Sequence, residues 1–153
     1  MNVPWLFFAA ALLAGTLITV QTGSNARLKE AFGEALPAVI ISSSLGIILL
    51  VAVTLVVRIP WPSLPGVAGA PWWGWLGGLL GAVYAVTAVL LARELGAATL
   101  TALVVTGQLL CSVTLDHFGW VGFTEHAAGI GRVLGCVFTV SYTHLTLPTI
   151  LRV

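Results

Sequence analysis

The sequence predicts an all-α, polytopic membrane protein of about five transmembrane helices, and three observations carry that expectation. Of 153 residues, 59% are hydrophobic and 7% are charged, with a mean hydropathy of +1.08. A soluble domain carries roughly 25% charge to keep its surface wet. The 6 basic and 5 acidic residues fall almost wholly in short gaps between long apolar runs. Several runs reach the ~20 residues that one crossing of a bilayer requires. A net charge of +1 gives no reason to invoke nucleic acid, so the lipid bilayer is the partner that composition demands.

The elements follow in order. "VPWLFFAAALLAGTLITVQTG" is too long for a secretory h-region of roughly 7 to 15 residues and lacks a basic n-region. It predicts span one, about 4–23, followed by a loop, "SNARLKEAFGE". "ALPAVIISSSLGIILLVAVTLVV" predicts span two, about 35–57, ending at Arg58. "IPWPSLPGVAGAP" holds four prolines, which cannot sustain a helical hydrogen-bond ladder, and reads as a loop. Span three, about 72–91, opens on Trp72, Trp73 and Trp75, residues that favour the headgroup level, so Trp72 is expected as an interface anchor. A short turn, "RELG", with Arg93 and Glu94 in solvent, leads to span four, about 97–115. After "DHFGWVGFTEHAA" a fifth run begins near Gly129 and is expected over about 129–147. A single transmembrane domain over 1–140 results.

Polar side chains at membrane depth are costly and are therefore functional candidates. A rotation of 100° per residue places Thr101, Gln108 and Ser112 on one stripe of span four, with Asp116 near its end. Hydrocarbon cannot satisfy the Gln108 amide, which must bridge helices or line a cavity. Gln21 and Asn25 stand four apart at the end of span one. Ser42, Ser43 and Ser44 in span two are residues whose hydroxyls commonly bond back to their own helix. Gln21, Asn25 and Gln108 are thus the expected substrate-binding groups, with Ser43 and Tyr84 secondary. Gly74 and Gly78, and Gly77 and Gly81, are spaced to let helix backbones approach closely.

The absences are equally informative. Spans one and two hold no acidic, basic or histidine side chain in their apolar cores. His117, His126 and His144 have no placed nucleophile, and Cys111 and Cys136 sit in apolar runs as small core residues. No metal spacing or cofactor loop is visible, so no metal, no cofactor and no enzymatic activity are expected.

Orientation is weakly specified. One side holds Arg27, Lys29 and Arg93, joined by Arg152 in the tail, and the other holds Arg58 and Arg132. A chain that inserts both ways round lets two copies pair antiparallel and recreate the inverted repeat on which many transporter folds are built.

"LAGTLITVQTGSNARLKEAFGEALPAVIISSSLG", "WWGWLGGLLGAVYAVTAVLLARELGAATLTALVVTGQLLCSVTLDHFG" and "RVLGCV" together resemble the YdcZ-like proteins, a five-span branch of the drug/metabolite transporter superfamily related to the small multidrug resistance exporters. The likeness runs over about residues 5–137. The resemblance implies a multi-pass protein of the bacterial inner membrane that moves a small solute of unknown identity by alternating access. It also implies a dual-topology antiparallel homodimer, or a pair with a homologous, oppositely oriented partner. The related exporters use a carboxylate in the first helix to exchange protons for cations, and this chain has none in its first span, so cation/proton antiport is not expected. Because neutral amides dominate the polar positions, the expected solute is uncharged or amphipathic. The rival expectation is a membrane scaffold or assembly partner that transports nothing. The tail "VSYTHLTLPTILRV" departs from the family. Its "SYTHLTLPTI" is similar to translated sequencing-adapter readthrough, and residues 141–153 are expected to be non-native.

Overall fold

The computed structural model describes residues 3–126 and 129–150. Its regular structure among those residues is helical: α1 (Val3–Phe32), α2 (Ala35–Val57), α3 (Leu64–Ala68), α4 (Leu76–Phe118) and α5 (Ile130–Ile150). The chain divides into two compact units, Met1–Arg93 and Glu94–Val153.

In the first unit, α1 does not stop at residue 23 but runs through most of the segment expected as a loop. The reason is local, since Ala26, Arg27, Leu28, Lys29, Glu30 and Ala31 are strong helix formers. Gly33 ends the helix at φ +81°, donating its N–H to the Lys29 carbonyl at 2.8 Å. This left-handed cap suits glycine, and Lys29 adds a cation to the last turn, where the helix dipole favours one.

The helix α2 occupies the second apolar run. Pro37 lies in its first turn, where a missing N–H leaves no ladder bond unmade. Its exit is a left-handed Arg58, whose N–H reaches the Leu55 carbonyl at 3.2 Å. The proline segment is not wholly irregular, because Ser63 caps the short α3, its Oγ accepting from Gly66 N–H at 3.3 Å. Trp72–Trp75 then forms a 3-10 turn into α4.

The core of this unit is small. Ala35 and Val39 of α2 cluster with Val89 of α4, and Ala85 and Val86 pack against them. Ala26, Ala38 and Ala88 are also buried. Small side chains permit the close helix contact on which association in lipid depends.

The second unit holds the rest of α4, a 3-10 turn at Trp120–Gly122, and α5. α4 is broken at Gly96, with φ 72° and ψ 161°. That conformation is essentially restricted to glycine, and it interrupts a helix otherwise about twice as long as one crossing needs. Gly119, at φ +62°, ends α4, and His126 N–H donates to the Asp116 carbonyl at 2.7 Å as the chain turns back. Among the described residues, three helical stretches are long and apolar enough to cross a membrane: Trp5–Phe32, Ala35–Val57 and Trp72–Phe118. A shorter apolar helix covers Ile130–Ser141. The backbone of α5 stays helical to Ile150, and the last three residues of the expected non-native tail, Arg152 among them, lie outside the described residues.

Candidate functional site

Most hydroxyls of the long apolar helices spend their one donor on their own backbone and keep only acceptor capacity. Thr16 Oγ1 donates to Leu12 O at 3.1 Å, Thr19 to Gly15 O at 3.2 Å, and Ser44 to Ile40 O at 2.8 Å. Thr54 and Thr114 do the same on α2 and α4. The amides are the groups that keep donor as well as acceptor capacity for something else.

The five residues singled out from the sequence have different surroundings. Asn25 is buried on α1 at 6% exposure, whereas Gln21, one turn earlier, is exposed. Ser43 is exposed on α2, and Tyr84 is half-buried on α4 beside the packed Ala85 and Val86. Gln108, in the second unit, is exposed on α4. Trp72 is 75% exposed at the start of its 3-10 turn. A methyl group built at Gly77, Gly78 or Gly81 meets nothing within 4 Å, and one at Gly74 meets only Pro71 Cγ at 3.9 Å. Within the first unit, no described side chain lies against the face of Gly77, Gly78 and Gly81.

Two charged arrangements were not legible in the sequence. In the first unit, Glu30 accepts from Arg27 on its own helix and forms an ion pair with Arg93 of α4 at 2.7 Å. Arg93 is thus not simply a solvated turn residue beside Glu94. In the second unit, Arg132 Nη1 donates to Asp116 Oδ2 at 3.1 Å, joining the last turn of α4 to the first turn of α5. A cleft of about 370 Å³ lies beside this pair, with Ser112, Gly135 and Thr139 among its walls. Ser112 and Asp116 of the expected polar stripe line it, and Gln108 does not. The signal that would have found the pair is opposite charge at the facing ends of two helices joined by a short connection.

One further group stands out. Thr99 is buried three residues after the Gly96 break, and its Oγ1 has no hydrogen-bond partner among the described residues. The break explains the orphan, because the bond back to the preceding turn needs regular helix there. Among the described residues, no cluster of histidine, cysteine or carboxylates could hold a metal ion.

Comparison with known proteins places this architecture. Residues 6–142 match the family model described as "Putative inner membrane exporter, YdcZ". The chain is also similar to the inner membrane protein YdcZ of Escherichia coli (strain K12), 27% identical over 139 residues covering 88% of this chain and 90% of that protein. No solved structure matches.

Proposed function

The chain belongs to the YdcZ family of inner-membrane proteins, and from that membership we propose that it exports a small solute as an antiparallel, dual-topology dimer working by alternating access. The proposed chain crosses the bilayer five times, with α4 contributing two crossings separated at Gly96 and α5 the last. Five crossings would place the two ends of the chain on opposite sides of the bilayer.

The observation that carries the reading is how little of each membrane helix is covered. In the most apolar window of α1 no residue is buried, and in the corresponding windows of α2 and α4 only 6% and 11% are. Lipid can cover apolar side chains, but it cannot satisfy the exposed Gln21 and Gln108 amides. A second copy supplies both the polar partners and a surface for the uncovered Gly77, Gly78 and Gly81.

In this account Gln21, Asn25 and Gln108 line the pathway as hydrogen-bonding groups, Ser43 and Tyr84 contribute secondarily, and Trp72 anchors the headgroup level. Neutral amides, and an α1 whose carboxylate, Glu30, lies in its last turn and is paired with Arg27 and Arg93, suit an uncharged or amphipathic solute. The test is flux of a panel of such solutes through vesicles reconstituted with the protein. Saturable flux that disappears in Gln108→Leu while the dimer persists supports the proposal. Absence of flux, with one unrelated membrane protein co-purifying at fixed stoichiometry, would replace it with the scaffold reading.

A further inference from the structure

Between Arg58 and Arg93 the chain carries not one charged side chain. The first part of that stretch, residues 59–75, joins α2 to α4, and every residue in it is exposed. Leu64 is 85% exposed and Trp61 64%, with Trp72, Trp73 and Trp75 following close behind. Water is a poor surrounding for such a surface, because an exposed apolar patch marks contact with a protein or a membrane.

The backbone of the segment is suited to scarce water. Pro60, Pro62, Pro65 and Pro71 have no N–H to satisfy. Ile59 N–H donates to the Thr54 carbonyl at 3.0 Å, Val67 to Ser63 O at 3.0 Å, Gly69 to Pro65 O at 2.9 Å and Ala70 to Val67 O at 3.2 Å. Gly66 N–H donates to Ser63 Oγ. A loop in water gains little from this pattern, since water satisfies free donors. Residues 59–63 nonetheless lack regular structure, and irregular backbone facing lipid does not occur within the hydrocarbon region. The headgroup layer between the two meets both conditions.

The neighbouring helices hold the segment at that level. α2 is long and apolar enough to cross a bilayer and ends at the charged Arg58, and the next stretch able to cross begins at Trp72. The connection is too irregular to cross hydrocarbon itself, so both of its ends stand at one face of the membrane. We infer that residues 59–71 do not project into water but lie flat in the headgroup layer of their own bilayer, with Trp61 and Leu64 inserted beneath the headgroups. Because the segment is uncharged, its partner is the neutral glycerol and upper acyl region of the lipid and not an anionic headgroup. The inference rests on α2 and α4 as membrane helices and is independent of any solute or dimer.

The test uses the full chain in phosphatidylcholine vesicles with Trp61 as its one tryptophan, Trp5, Trp72, Trp73, Trp75 and Trp120 being replaced by phenylalanine. Bromine on the upper acyl chain lies within the ~5–10 Å that interfacial side chains reach. It should remove most of the Trp61 emission, whereas iodide present on both sides of the bilayer should remove little. Strong quenching by iodide with weak quenching by brominated lipid would overturn the inference, because the segment would stand in water. Protection from both quenchers would also overturn it, with a second copy or another protein covering the surface. A second measurement avoids the tryptophan replacements. In a chain with Cys111 and Cys136 replaced by serine, a thiol introduced as Leu64→Cys should react with a charged maleimide, present on both sides, several-fold more slowly than one introduced as Glu34→Cys. The two should react at similar rates in denaturant. Equal rates in the vesicles would overturn the inference.

Discussion

The guanidinium of Arg93 forms an ion pair with Glu30, Nη2 lying 2.7 Å from Oε1, and ties the C-terminal turn of α1 to α4 within the first unit. Glu30 also receives Arg27, so one carboxylate holds two cations at the same end of the helices. Arg93 is more than half exposed, and solvent screens the contact. A double-mutant cycle with Glu30→Gln and Arg93→Gln should therefore give a coupling of only ~0.2–1 kcal/mol. Measured by thermal unfolding in detergent, it should shrink as salt is raised. A coupling that does not respond to salt would mean the pair is shielded in a way its exposure does not suggest.

The small-residue packing of the first unit should matter more. Ala38 has no exposed surface. Ala38→Leu must force neighbouring helices apart, at a cost of about 1–3 kcal/mol. The thermal midpoint of the purified protein should fall, whereas Leu49→Ala, at an exposed position of the same helix, should leave it almost unchanged.

Gly96 is required by its backbone. At φ 72° and ψ 161° an alanine is strained by ~1–3 kcal/mol even though, among the described residues, no atom beyond the adjoining backbone lies within 4 Å of the added methyl. Gly107, in regular helix with equally open surroundings, provides the control. Gly96→Ala should lower the thermal midpoint, and Gly107→Ala should be neutral or stabilising. Equal effects would show that the break is not a fixed feature of the chain.

These residues also show how far a sequence can be read. The membrane class and the helical content follow from hydropathy, because bilayer thickness imposes the length of an apolar run. The reach of α1 to Phe32 did not, because a charged stretch reads as a loop even when its residues are good helix formers. The turn at "RELG" was visible, but its form, a single glycine outside helical space, depends on backbone angles that composition does not specify. Asn25 and Gln21 look equivalent at a spacing of four, yet only Asn25 is buried, since burial depends on where a neighbouring element lies. For the same reason Arg132 reads from the sequence only as an orientation charge: its pairing with Asp116 is a contact made only when α5 folds back beside α4.

Orientation tests the central claim most directly. With Cys111 and Cys136 replaced by serine, a single thiol is introduced as Glu34→Cys, an exposed position between α1 and α2. Intact cells are treated with a membrane-impermeant maleimide and compared with permeabilised cells. The dual-topology dimer predicts that about half of the thiols react from outside, because weak charge bias leaves both orientations populated. Complete labelling, or none, would mean one fixed topology and would contradict an antiparallel pair made from copies of this chain.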